Sequence, residues 1–321
     1  MSKRKQTARL ILLLTIFAMH TRLLYGAGGA PAANISGSQV AVSWNNSGST
    51  PLSAQTAVED TSPKVVPAST DWTIRIGAGA ILSPAFVGAS DYQLMAVPAL
   101  KVTYRNRFFA SVEDGVGYAV INQRGWRAGP IAEIAFGRKE DGDNPFRIAG
   151  GKTSALHGLG NVATTLEVGG FAEYRWSSIS TKIGLRKGLN GHEGLVGDLS
   201  VKYTHSSQSL SPVADSLLVV SFGPRLTVVD STYNKAFFGV DADQALNSGL
   251  PRYSPSGGIL SYGVGSVIIA PIRKQLSATF LAGYDRLTGD AGSSPLVSKR
   301  GSPNQWMFGV LLSYEFGFDS H

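Results

Sequence analysis

The stretch from Gln305 to Phe318, QWMFGVLLSYEFGF, constrains this chain more than any other. Side chains on an extended strand alternate between two faces. Trp306, Phe308, Val310, Leu312, Tyr314, Phe316 and Phe318 therefore share one face, and Gln305, Gly309, Ser313 and Glu315 the other. An apolar stripe bounded by aromatics, opposite small and polar groups, suits a strand with lipid outside and a wet interior. Trp306 and Phe316 are ten residues apart, roughly 33 Å along a strand or about 25 Å after a barrel tilt, which is the height of an outer-membrane apolar band.

The same alternation recurs upstream. Asp71 to Ile81 sets Trp72, Ile74, Ile76 and Ala78 against Arg75, and Leu94 to Tyr104 sets Leu94, Leu100, Val102 and Tyr104 against Lys101. Similar segments run over 108–120, 126–136, 162–174, 179–189, 195–203, 217–229, 259–270 and 276–284. No 3.6-residue apolar stripe follows residue 70. After the N-terminal segment no run of 18 apolar residues appears, so no helix is expected to cross a bilayer. Eleven strand candidates result. Bacterial single-chain barrels carry even strand numbers, so we expect twelve, with ten as the alternative and a twelfth strand sought at Phe237 to Val240 or within 146–156. The fold class is an all-β, antiparallel, up-and-down transmembrane β-barrel. Arg105 to Arg107, Trp176 to Ser178 and Pro271 to Lys274 read as short turns; 139–161, 230–258 and 287–304 read as long loops. The competing architecture is a soluble sandwich or lipocalin-like barrel, whose apolar face would point inward.

Charge is concentrated at the N-terminus. Met1 to Ala32 holds Lys3, Arg4, Lys5, Arg9 and Arg22 and no acid, so its removal takes the net charge from +7 to +2. The high pI is therefore no argument for nucleic acid. This segment reads as a secretory signal peptide, with a basic start, an apolar core over Leu10 to Met19, and Ala30-Pro31-Ala32 or Ala27-Gly28-Gly29 for cleavage. Residues 33–70, rich in Ser, Ala, Asn, Thr and Pro, read as a disordered periplasmic segment. The barrel domain is assigned to 71–321. The absence of cysteine fits an oxidising compartment.

Motifs for chemistry fail on context. AGGKTS (149–154) approaches a phosphate loop, but Phe146 stands where glycine is required and a strand follows. GLGNVA (158–163) has dinucleotide-like glycine spacing but also leads into a strand. His192-Glu193 lacks a second histidine four residues on. His205 beside Ser206 and Ser207 has no G-x-S-x-G context for hydrolysis. Asp241, Asp243, Asp285 and Asp290 read as solvated loop carboxylates rather than a calcium site. No catalytic, cofactor or metal residues are assigned, and a non-enzyme is expected. Arg75, Arg127, Glu133, Glu167, Glu173, Lys182, Arg186, Lys202 and Arg225, with Arg175, are candidate lumen-lining residues. Buried charges must be paired or hydrated, so they are expected to pair across the interior and leave no large pore.

Several stretches recur in order in one known family. They are PAFVGASDY (84–92), YRNRFF (104–109), FGRKEDGDNP (136–145), GLGNVATTLEVG (158–169), YNKAFFGVDADQALNSGLPRY (233–253), YDRLTGDAGSSPLV (284–297) and the Tyr-x-Phe ending at Phe316. Through them the chain resembles the MltA-interacting protein family, MipA/OmpV, of Gram-negative outer membranes. The resemblance implies a non-enzymatic barrel in outer-membrane lipid. It also implies a scaffold that joins a lytic murein transglycosylase to a murein synthase. Alternatives are a narrow porin-like channel for small solutes and surface adhesion through the long loops.

Overall fold

The computed structural model describes residues 33–36, 39–42 and 71–318, apart from 113, 145, 214 and 215. The expected signal peptide lies outside them, as does most of the segment read as disordered. From that segment, Ala33–Ser36 and Gln39–Val42 pair antiparallel in a two-stranded sheet of their own.

The remaining strands form one closed antiparallel barrel in which sequence neighbours pair. They are β1 (Trp72–Pro84), β2 (Tyr92–Tyr104), β3 (Phe108–Ser111), β4 (Gly115–Tyr118, resuming as Ile121–Gln123), β5 (Trp126–Ala135) and β6 (Thr165–Trp176). β7 (Ile179–Gly188), β8 (Leu195–Ser207), β9 (Leu218–Val229), β10 (Gly258–Arg273), β11 (Leu276–Leu287) and β12 (Asn304–Phe318) complete it. Closure is made by β12 on β1, in register from Phe308 opposite Leu82 to Phe318 opposite Trp72. The barrel thus has twelve strands, counting the two halves of β4 as one.

The twelfth strand does not come from either expected source. The candidate 108–120 is not one strand but the tight β3–β4 hairpin, with Phe108 opposite Tyr118 and Ser111 opposite Gly115. Its alternation survives the turn, so periodicity alone cannot reveal the reversal. Phe237 to Val240 is instead the end of a helix followed by a bridge from Val240 to Tyr253. Arg147–Ala149 is a strand, but it patches the upper edge of β2 at Leu94 and Met95, which β3 is too short to reach. Ala96 N donates to Phe146 O (2.9 Å), and Val112 N donates to Leu100 O (3.2 Å). Between these two bonds the edge position is Pro98, which has no N–H to leave unsatisfied.

β12 confirms the orientation. Trp306, Phe308, Val310 and Leu312 are each about half exposed (48–51%), whereas Met307 and Leu311 are 2% exposed. Ile183 and Phe280 also face outward, at 56% and 45%. A continuous exposed apolar belt of this extent has lipid as its solvent. A soluble sandwich with these residues in a dry core is thereby excluded.

The start of β1, the end of β12 and the short turns after β2, β4, β6 and β10 share one rim, which is the periplasmic one by the rule for such barrels. Arg105 and Asn106 both have positive φ (47° and 54°) in the β2–β3 turn, and Arg124 and Gly125 (52° and 81°) in the β4–β5 turn. The second is a primed two-residue turn that matches the strand twist, and the first is a three-residue loop, Arg105 to Arg107, between the paired Tyr104 and Phe108. Aromatics pair near this rim: Trp72 with Tyr104 (4.5 Å between rings) and Trp126 with Tyr174 (4.7 Å).

The opposite rim carries the long connections, and these are not plain loops. Four helices were not legible as periodic stripes: α1 (Ser231–Phe238), α2 (Ala242–Ser248), α3 (Gly289–Ser293) and α4 (Pro295–Arg300). Each is eight residues or shorter, too brief to show a helical period. Among the described residues no helix is long and apolar enough to cross a membrane. Their starts are chemically marked. Asp230 caps α1 by accepting from Tyr233 N, and Asp241 forms a capping box with Gln244 on α2. Two apolar clusters lie under the helices. One joins Val196, Val229, Leu260 and Leu287 of the barrel mouth to Tyr233, Phe237, Phe238, Ala291 and Val297. The other joins Phe86, Ala89, Leu156, Leu159, Val240, Leu250 and Leu296. The outer mouth is therefore covered by a packed lid.

Candidate functional site

The barrel interior holds the chain's densest chemistry. All nine charged residues singled out from the sequence are buried, from 0% exposed for Glu167 and Glu173 to 9% for Arg127. Inward alternation places them there, since each flanks outward apolar neighbours such as Trp126, Leu166, Tyr174, Ile183 and Leu185.

They form two groups. In the outer half, Arg186 is a hub: its Nε contacts Glu167 at 2.8 Å and Glu133 at 3.4 Å, and Nη2 contacts Asp198 at 2.5 Å. Glu167 also meets His192 Nε2 at 2.9 Å, and Thr227 Oγ1 donates to Asp198 at 3.1 Å. Cross-strand register builds this hub, because Glu133 of β5 lies opposite Glu167 of β6. Like charges opposite one another repel, and the Arg186 guanidinium offsets that by bonding both.

In the periplasmic half, Lys101 Nζ pairs with Asp114 at 2.9 Å, and Glu173 accepts from both Arg127 and Arg175 at 3.3 Å. Lys182 lies opposite Glu173 in register, and Lys202 opposite Ser180. Phe109 and Phe171 meet edge to face (5.6 Å) between two cations, with Arg127 5.9 Å from the Phe109 ring and Lys182 5.6 Å from the Phe171 ring. Phe109 fits because Gly117 faces it; a Cβ there would lie 2.2 Å from the ring. Two further pairs lie apart from these groups: Arg75 with Glu315, and Arg225 with Asp285 (Nε to Oδ1, 2.7 Å).

Sequence reasoning missed part of this network. Asp285 is no solvated loop carboxylate: it is 4% exposed on β11 and bound to Arg225. Asp198 and Asp114 lie at buried positions that went unremarked, and His192, which has no zinc-helix partner, is buried beside Glu167. Inward parity was the available signal for Asp198, two residues before Ser200 on the same face. His205 with Ser206 and Ser207 is at the periplasmic end of β8, and no hydrogen bond joins these three side chains. Asp241 caps a helix and Asp290 accepts from Ser256 N. Among the described residues no group of three or more His, Cys, Asp or Glu is arranged to hold a metal ion.

An apolar cluster fills part of the interior on the other strands. Ile81, Met95, Val97, Ala99, Val219, Val267, Ile269, Leu281, Met307 and Leu311 form one buried cluster from β1, β2 and β9 to β12.

Lid and loops are tied by polar contacts outside the membrane span. Arg138 Nη1 donates to Phe237 O at 2.5 Å, and burial lowers its pKa to about 10. Ser294 Oγ donates to Phe238 O at 2.7 Å, and Gln244 Nε2 to Leu159 O at 2.8 Å.

The chain is similar to known proteins. A family model described as MltA-interacting protein MipA matches residues 76–316. Outer membrane protein OmpV of Vibrio cholerae is 34% identical over 86 residues, which is 27% of this chain and 32% of that protein, so about a third of the relative's length is spanned. Among solved structures, OprB of Pseudomonas putida is 11% identical (70% of this chain, 59% of that chain) with a TM-score of 0.33. OprG of Pseudomonas aeruginosa is 8% identical (77% and 97%) with a TM-score of 0.26. Those scores are low, and the barrel stands on its own strand pairing. With the family model spanning β1 to β12, the chain belongs to the MltA-interacting protein MipA family and is an outer-membrane β-barrel.

Proposed function

We propose that the protein is a non-enzymatic scaffold that holds murein-remodelling enzymes, a lytic transglycosylase and a murein synthase, at the periplasmic face of the outer membrane. The observation that carries this reading is the closed interior. Two apolar clusters join the outer mouth to the helices above it, an aliphatic cluster fills part of the interior, and the nine interior charges named from the sequence are each at most 9% exposed. A barrel so filled favours a binding role over a narrow channel for small solutes. The family description names MltA as the partner of its namesake, and only the periplasmic rim presents turns to enzymes on that side. The candidate lumen residues then serve to fill and brace the barrel rather than to line an open pore.

Capture of periplasmic extract on the immobilised, folded protein tests this. Recovery of a transglycosylase or a murein synthase is expected, with loss on replacing the rim residues Arg107, Arg124, Arg273 and Lys274 by Gln. Recovery of neither enzyme, combined with stepwise conductance in planar bilayers, would replace the scaffold with the channel.

A further inference from the structure

The interior charges are unevenly divided along the barrel axis. In the outer group Arg186 faces three carboxylates, Glu133, Glu167 and Asp198. Among the described residues of the periplasmic group five cations, Lys101, Arg127, Arg175, Lys182 and Lys202, lie with two carboxylates, Asp114 and Glu173. Lys182 is within the electrostatic reach of Asp114, Glu173 and, from the outer group, Glu133, and Lys202 of Glu173 and Asp114, so these groups form one cluster. Each cation lies within five residues of the periplasmic end of its strand.

Lys182 is the telling member. It is 5% exposed, and its Nζ has no hydrogen-bond partner. A buried ammonium without a partner is costly, and a native structure supplies water or a counter-ion in such places. Ser180 and Ser200, both buried, flank the two lysines in register and offer hydroxyl donors. The periplasmic rim is the nearer one to the cluster, and the helices of the described residues all sit at the outer mouth. At that lower rim Arg107, Arg124, Arg273 and Lys274 are exposed, and together they raise the local anion concentration.

We infer that the periplasmic half of the barrel is a binding site for a small oxyanion, a phosphate or carboxylate group, held by Lys182 and Lys202 with Lys101 and Arg127 around it. The site is independent of partner capture. An anion neutralises the surplus charge and supplies the acceptor that Lys182 lacks.

The test uses the full chain folded in zwitterionic detergent micelles, with inorganic phosphate and acetate as probes and chloride at matched ionic strength as reference. A saturable rise in Tm is expected with phosphate or acetate, about 5–10 °C at a hundred times Kd, and no comparable rise with chloride. The stronger of the two probes identifies the head group. Lys182→Met and Lys202→Met each abolish the rise, whereas Lys299→Met in the outer lid keeps it. Phosphate binding followed by 31P line width gives a second reading that does not depend on the variants folding. Equal Tm in phosphate, acetate and chloride, or an undiminished phosphate response in Lys182→Met, overturns the site.

Discussion

The two halves of the barrel interior solve the same problem with different chemistry. Strands β5 to β8 fill their side with an ionic network centred on Arg186 and Glu173. Strands β9 to β12, β1 and β2 build an aliphatic core around Ile269, Leu281 and Met307, with the Arg75–Glu315 and Arg225–Asp285 pairs and Lys101 beside it. Packing in the second is non-directional and depends on volume. Packing in the first depends on every charge having its partner. The same closed cylinder therefore has one side that tolerates changes of shape but not of polarity, and another where a single lost charge strands its neighbours.

Arg186→Met should give the largest effect. It leaves Glu133, Glu167 and Asp198 without their common cation, and about 3–5 kcal/mol of stability is expected to be lost, measured by urea unfolding in micelles. Combining it with Glu133→Gln, Glu167→Gln and Asp198→Asn should recover most of that loss. Failure to recover would mean that the hub acts through packing, and the contrast between the halves would dissolve.

Leu281→Ala in the aliphatic core should cost about 2–5 kcal/mol through its cavity. Unlike Arg186→Met, no substitution of a neighbouring carboxylate should restore it. On the outer wall, Leu312→Arg places a charge in the lipid belt and should cost about 2–4 kcal/mol, with a smaller penalty for Phe318→Arg at the rim. At the small end, Arg105→Gln breaks the exposed pair with Asp71 and should leave the unfolding curve unchanged, since such pairs contribute little.

How much of this was legible in the sequence follows from the period of each element. The wall was readable because lipid outside and side chains inside enforce a strict two-residue alternation, as at Trp306 to Phe318. The nine interior charges were readable for the same reason, since parity assigns each to one face. The β3–β4 hairpin was not, because Phe108 to Tyr118 keeps a plausible alternation through a three-residue reversal. The lid was hidden because α1 to α4 span too few turns to show a stripe, although Asp230 and Asp241 were capping residues in plain view. The aliphatic core was hidden by expectation: Met307 and Leu311 alternate with Phe308 and Leu312, so both faces of that strand are apolar and polarity cannot tell them apart.

The central claim is that apolar residues of the strands face lipid while the charged ones are enclosed. The chain has no cysteine, so single cysteines from 305 to 314 along β12 can be spin-labelled one at a time in reconstituted vesicles. Power-saturation EPR should then show labels at 306, 308, 310 and 312 colliding with oxygen dissolved in the bilayer, and labels at 305, 307, 309 and 311 shielded from it. The reverse alternation, or none, would contradict the account.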